Sequence, residues 1–307
     1  MKRVIITGPT GTIGMALLKL CTDKGIHVCA IVNPLSRRKA ILPNHPLVTI
    51  LEKDISEYNS LHFVEQYDVW FHLAWCGASG AGRNDMYMQN QNITYMLDAI
   101  EAAKKAGCHT FVGAGSQAEY GASNSPLSGN SPTFPTTGYG MAKLCAGQMG
   151  RMVCKEAKMR YIWPRIFSVY GPYDGYNTMI MTGIRQLLDG DIPMFTKGEQ
   201  QWDYLYCDDA AKILLSLAKN GRDGKIYCLG SGKVRTLAEY IEIIRKNIDE
   251  NAKINLGGMP YSDNQLMYLC ADTTAIKQDI GYDEFVSFED GIVRTIEWVK
   301  AWRKDNV

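Results

Sequence analysis

Long apolar runs are missing from this sequence. No window approaches the roughly 18 to 20 uninterrupted apolar residues that a membrane-spanning helix needs, and the opening Met1-Lys2-Arg3 leads into Val4-Ile5-Ile6, too short for a secretory leader. A soluble, cytoplasmic protein with no membrane partner is expected. Excess charge is missing too: 33 Lys and Arg stand against 32 Asp and Glu, a formal net charge of +1. Such a chain has no field to hold a phosphate backbone, and the pairs Arg37-Arg38 and Lys104-Lys105 are too short to form a basic stripe. No nucleic-acid partner is expected. The nine scattered cysteines contain no C-x-x-C pair, which removes the usual signatures of zinc and of a redox dithiol. No metal site is expected, and the thiols are expected to be reduced.

What is present is an alternation of short apolar runs with longer amphipathic stretches. Residues 4–7, 27–32, 47–51, 69–73 and 110–114 read as buried strands. Residues 13–24 and 90–106 read as helices stopped by Gly25 and Gly107. Strand-helix alternation of this kind predicts βαβ units and a parallel sheet covered on both faces. After about residue 165, Gly171-Pro172, Gly175, Gly190, Pro193 and Gly198 punctuate shorter elements, with helices predicted over 178–188, 208–219, 237–247 and 288–302. The fold class read from this pattern is α/β: a doubly wound, Rossmann-type parallel sheet with a smaller mixed C-terminal lobe. Residues 1–165 are expected to form the main unit, with returning segments near 203–230 and 267–275, and residues 166–307 mainly the lobe. No internal repeat or low-complexity segment is found, and residues 121–135 read as a loop.

Between the first strand and first helix lies Thr7-Gly8-Pro9-Thr10-Gly11-Thr12-Ile13-Gly14. Gly8 permits a tight turn, Gly11 lets backbone N–H groups approach a pyrophosphate, and Gly14 lets the helix pack close to the sheet. The helix N-terminus adds donors and partial positive charge. A carboxylate usually ends the second strand where the adenosine ribose is held, and here it is absent: the segment reads Asn33-Pro34-Leu35-Ser36-Arg37-Arg38. Asn33, Ser36, Arg37 and Arg38 suit a 2′-phosphate, which wants guanidinium and no acid. NADP(H) is therefore the cofactor favoured by the sequence, with NAD(H) as the alternative.

Tyr139-Gly140-Met141-Ala142-Lys143 places a phenol and an ammonium four residues apart, on one face of a predicted helix. A cation beside a phenol favours phenolate, the requirement for a general acid/base near neutral pH. Gly115-Ser116 ends a strand upstream.

The G-x-x-G-x-x-G spacing, with these later motifs, resembles the extended branch of the short-chain dehydrogenase/reductase superfamily, the nucleotide-sugar epimerases, dehydratases and ketoreductases. Ser116-Gln117-Ala118-Glu119-Tyr120-Gly121 is similar to the segment carrying that family's hydroxyl residue. The resemblance implies that Ser116 bonds the reacting oxygen, Tyr139 transfers the proton and Lys143 holds the cofactor ribose. It implies further cofactor contacts at Asp54 and Ile55, at Leu73, Ala74 and Trp75, at Asn92 behind the site, and at Ile166. The family's 4,6-dehydratases carry Asp-Glu after the hydroxyl residue. Gln117 and Ala118 stand there in this chain, so dehydration is disfavoured and Gln117 becomes a candidate substrate contact.

Pro164 to Pro172 is similar to the family's Arg-x-Phe-Asn-x-Tyr-Gly-Pro, with Ser168 in place of Asn. Asn177 falls where the family binds the substrate diphosphate. Trp202 replaces an Arg that grips that diphosphate, and Tyr261-Ser262-Asp263-Asn264 lacks another. Trp202 either stacks on a base or sugar or serves packing. The stretch from Trp75 to Asp85 either touches the sugar, through Trp75, Ser79 or Arg83, or merely connects. The function expected is reduction of a nucleoside-diphosphate keto-sugar by hydride transfer, with Tyr139 as acid. An epimerase retaining NAD, and a non-catalytic dinucleotide sensor, are the alternatives. A homodimer is implied by the resemblance.

Overall fold

The computed structural model describes residues 1–305 except 264. The first half of the chain supplies β1 (Arg3–Thr7), α1 (Thr12–Asp23), β2 (His27–Val32), β3 (Val48–Glu52), β4 (Val69–His72), α2 (Met86–Lys105), β5 (Thr110–Gly113), β6 (Gly115–Ser116), α3 (Gly138–Glu156) and β7 (Arg160–Ile166). Then come β8 (Ser168–Tyr170), α4 (Met179–Leu188), β9 (Met194–Phe195), β10 (Gln201–Trp202), β11 (Tyr204–Tyr206), α5 (Cys207–Asn220) and β12 (Ile226–Leu229). The chain closes with β13 (Arg235–Thr236), α6 (Leu237–Ile248), β14 (Asn255–Leu256), β15 (Tyr268–Leu269), α7 (Thr274–Ile280) and α8 (Phe288–Asp305).

The main sheet runs β12-β7-β5-β4-β1-β2-β3, with β6 paired to β7, and every pairing in it is parallel. Strand order reverses between β1 and β4, so a crevice opens there beyond the carboxyl ends of the strands. Side chains alternate strictly between the two faces. Val4, Ile6, Val28, Ala30, Val69, Phe71 and Val112 face Leu17 and Leu18 of α1 and Leu214 and Leu217 of α5. Ile5, Cys29, Ile31, Trp70 and Phe111 face Met96 and Ile100 of α2 and Ala146 and Cys154 of α3. This explains the near-continuous apolar strands: both faces are covered, and each large aliphatic side chain taken from water contributes about 1.5–3 kcal/mol.

α2 begins earlier than its apolar period suggests, at Met86 instead of residue 90, because the Asp85 side chain accepts from Met88 N and caps it. α7, absent from the sequence reading, is short, with Ile276 as its buried residue. α4, α6 and α8 form a third core, where Ile180, Ile184, Tyr240, Ile244, Phe288 and Ile292 meet. The small sheets of this part, β13-β10-β15, β8-β11 and β9-β14, use strands of two or three residues.

Candidate active site

The glycine turn is built as its spacing requires. Gly8 has φ +69°, and a Cβ on it would lie 2.9 Å from Ala74 N. A Cβ on Gly14 would lie 2.2 Å from the Gly8 carbonyl oxygen, so α1 can approach β1 only with glycine there. A Cβ on Gly11 would meet nothing nearer than 3.7 Å; protein packing does not demand glycine at that position, whereas close approach of a ligand would. Gly11 also caps α1 without any side-chain hydrogen bond, while Asp85, Thr137, Thr178 and Thr236 cap α2, α3, α4 and α6 through their side chains. α5 and α7 also start without a side-chain cap, but at α1 the uncapped N–H groups open onto a cleft, where an anion could take them. Gly14→Ala is expected to weaken dinucleotide binding about tenfold or more, measured by calorimetric titration with NAD⁺.

A cleft of about 340 Å³ runs from this turn, lined by Gly11, Thr12, Ile13, Leu73, Trp75 and Ile166, to Ser116, Tyr139 and Lys143 at its inner end. A second cleft of about 390 Å³ holds Ser168 and Trp202, and both share Phe167, Val169 and Asp174. The glycine turn, the uncapped start of α1 and the apolar walls at Ile13, Leu73 and Ile166 fit a dinucleotide in the first cleft.

Ser116 ends β6 and is held rigidly. Its backbone N–H donates to Glu119 Oε1 at 2.8 Å, and its Oγ accepts from Ala118 N at 3.2 Å. Glu119 is fully buried and accepts further bonds from Trp163 Nε1 at 3.1 Å and from Arg165 Nε at 2.6 Å. Tyr139 lies in the first turn of α3 and lines the cleft with Ser116. Burial pushes its phenol up; the Ser116 hydroxyl and the Arg83 charge pull it down, and the Glu119 charge pushes it up. Lys143 is buried, donates to the Ala114 carbonyl at 2.7 Å and stands 3.6 Å from the centroid of the Trp75 ring. Burial brings its ammonium down to about 7, against the opposing pull of Glu119. Trp75 is steered by a 2.8 Å bond from its indole N–H to Gln89 Oε1.

The remaining candidates divide. Leu73 and Ile166 line the cofactor cleft, and Ala74 N donates to Thr7 Oγ1 at 3.3 Å beside the turn. Asn92 is buried and fully used inside the protein, accepting from Cys76 N and donating to the Cys76 and Met88 carbonyls at 2.9 and 3.0 Å. It fixes the segment after β4. Ile55 packs into the sheet core. Thr10 sits in the glycine turn outside the cleft lining, Ser79 and Asn177 are exposed, and Gln117 does not line either cleft. Asn264 lies outside the described residues. Trp202 donates to Ser168 Oγ at 2.7 Å, so these two replacements form one unit.

The adenosine end differs from its sequence reading. Asn33 Nδ2 donates to Asp54 Oδ2 at 2.6 Å, which brings a carboxylate from the end of β3 to the end of β2. Ser36 accepts from Arg38 N at 3.3 Å. The Arg38 guanidinium turns away to the carbonyl of Tyr173, a residue with φ +63°. Asp174 beside it accepts from Thr178 Oγ1 at 3.0 Å and lines the cleft with Thr12 of the glycine turn, and burial pushes its carboxyl up to about 6. This arrangement forms a clasp from the end of β2 to the loop after β8. Only Arg37 of the proposed 2′-phosphate set is without a protein partner among the described residues. Sequence reasoning missed Glu119, Asp174 and Gln89, and left Arg83 as a sugar contact only; Gln89 falls on the buried face of α2, where its polarity was the one available signal, and the others also act on residues from distant segments.

Residues 4–230 match the model of the NAD dependent epimerase/dehydratase family. The chain belongs to that family. It is 25% identical to the ADP-L-glycero-D-manno-heptose-6-epimerase of Pseudomonas paraeruginosa, over 96% of this chain and 98% of that one. Among solved structures it is similar to UDP-N-acetylglucosamine 4-epimerase from Methanobrevibacter ruminantium M1 in complex with UDP-N-acetylmuramic acid (TM-score 0.88, 24% identity, 98% and 99% of the two chains). It is also similar to UDP-glucuronic acid 4-epimerase from Bacillus cereus in complex with UDP-glucuronic acid and NAD (TM-score 0.84, 20% identity, 98% and 99%). The protein is thus a member of the NAD dependent epimerase/dehydratase family with a Rossmann-like fold. None of its described helices is long and apolar enough to cross a membrane, and no cluster of metal-ligating side chains occurs among the described residues.

Proposed function

We propose that this family member is a nucleotide-sugar epimerase, which oxidises one carbinol carbon of the sugar to a transient ketone and reduces it again from the other face. The carrying observation is the grouping of Tyr139, Ser116 and Lys143 in one cleft, with no acid/base pair in the two positions after Ser116. Tyr139 lines the first cleft together with Ser116 and Lys143, and the nearby carboxylate, Glu119, is consumed by Ser116 N, Trp163 and Arg165. An elimination would need a second acid/base pair, and Gln117 and Ala118 cannot supply it. A bound nicotinamide dinucleotide would take up and return the hydride. Tyr139 would accept the hydroxyl proton and give it back, Ser116 would orient the oxygen, and Lys143 would hold the ribose and favour tyrosinate. Ser168 and Trp202 would face the rest of the substrate.

Full-length similarity to epimerases supports this reading over a net ketoreductase, and so does the diversion of Arg38 and the placement of Asp54 at Asn33, which favour NAD over NADP. The ketoreductase with NADPH is the second reading, favoured by Arg37 and by a β2 end with no acid of its own. A homodimer is supported by the exposed Met141, Met149 and Met152 on α3. Mass spectrometry of the nucleotide released on denaturation, with incubation against UDP- and ADP-sugars, tests these readings. NAD⁺ released from the purified protein, and sugar interconversion without change in nicotinamide absorbance, are expected. Released NADP⁺, with NADPH consumed only when a keto-sugar is supplied, would favour the reductase instead.

A further inference from the structure

Two cations stand beside Tyr139, and only Lys143 belongs to the Y-x-x-x-K motif. Lys143 Nζ is directed to the Ala114 carbonyl and the Trp75 ring, 5.7 Å from the centroid of the Tyr139 ring. Arg83 is closer, its Cζ 4.4 Å from that centroid. The guanidinium is held there: its Nη1 donates to the Ala78 carbonyl at 3.0 Å. The loop that carries it is pinned from both sides. Gln89 Nε2 donates to the carbonyls of Gly77 at 3.0 Å and Gly82 at 2.8 Å. Asn84 Oδ1 accepts from Gly138 N at 3.1 Å, which ties the loop to α3 one residue before Tyr139.

We propose that Arg83 is a positioning residue for the acid/base, whose guanidinium on the Tyr139 ring favours the tyrosinate form and so sets the pH range of proton transfer. The inference rests on Tyr139 being the proton-transfer group. A guanidinium on an aromatic face gains from the ring quadrupole, more so where water is excluded, and gains further when the ring carries negative charge. The charged groups facing the phenol are few. Glu119, from the turn after Ser116, opposes tyrosinate but is itself paired with Arg165. Lys143 comes from α3 and Arg83 from the loop before α2, and Asp174 lines the cleft that Tyr139 and Lys143 also line. α2 itself presents the neutral Gln89 amide, engaged with Trp75.

The test follows tyrosinate ultraviolet absorbance through a pH titration of the NAD⁺-loaded protein. Subtracting the Tyr139→Phe titration isolates this one residue among 17 tyrosines. Arg83→Met is expected to raise the midpoint by about one pH unit, equivalent to about tenfold less tyrosinate at a fixed pH, with Arg83→Lys in between. Arg83 is half-buried, so both variants are expected to melt near the wild-type temperature; Arg83→Gln serves the same comparison if Arg83→Met does not fold. A Tyr139 signal that Arg83→Met leaves unmoved overturns the inference. Absence of any Tyr139 titration in the wild type overturns the acid/base role and the inference together. No turned-over substrate enters the measurement, so a wrong sugar leaves its outcome intact.

Discussion

Tyr139→Phe is expected to lower turnover about 10²- to 10⁴-fold, the range contributed by a positioned general acid/base, while dinucleotide affinity stays close to that of the wild type. The ring itself is fixed by contacts that phenylalanine keeps: an edge-on approach to Trp75 with centroids 6.1 Å apart, and the Arg83 guanidinium on its face. What is removed is the hydroxyl that Ser116 orients and through which a carbinol proton would leave. The cofactor turn, from Gly8 to Gly14, is untouched. Single-turnover reduction of bound NAD⁺ by the identified sugar, set beside calorimetric NAD⁺ binding, separates the two effects. Turnover unchanged by the substitution would remove Tyr139 from the chemistry.

Glu119→Leu is expected to destabilise the protein by about 3–5 kcal/mol, the usual consequence of leaving one partner of a buried ion pair uncompensated. Arg165 is 2% exposed and Glu119 is fully buried. The guanidinium would keep its charge without a counterion, and Ser116 N and Trp163 Nε1 would each lose an acceptor. Pairing the change with Arg165→Met should restore most of the loss, since two apolar groups in place of a buried pair are often neutral or better. Denaturant melts of the wild type, the single variant and the double variant give the comparison. Equal midpoints for wild type and Glu119→Leu would show that the pair carries no such weight. The double variant still lacks the acceptor for Ser116 N, so recovered stability without recovered turnover would locate the role of Glu119 in holding Ser116.

The order of strands and helices was legible because each depended on local periodicity: β2 spans the residues its apolar run marks out, and α1 stops where Gly25 takes φ +70°. Gly8, Gly11, Gly14, Tyr139 and Lys143 were legible for the same reason, since a turn and one helical face fix each spacing. Contacts between distant segments were not. Asn33 looked free of acid until the sheet set Asp54 beside it, 21 residues on. Arg38 looked available for a phosphate until the loop after β8 claimed it. Glu119 carried no role in the sequence, and only the fold brings it against Arg165, 46 residues away. Short strands such as β8 and β11 carry too few residues to show a period, and their pairing exists only through the lobe's packing.

The clasp between Arg38 and Tyr173 bears on time rather than on affinity. It ties the end of β2 to the loop after β8, and Asp174 of that loop lines both clefts. On the epimerase reading proposed above, a dinucleotide in the first cleft would be slow to leave for as long as this contact holds, and one cofactor would then serve many turnovers.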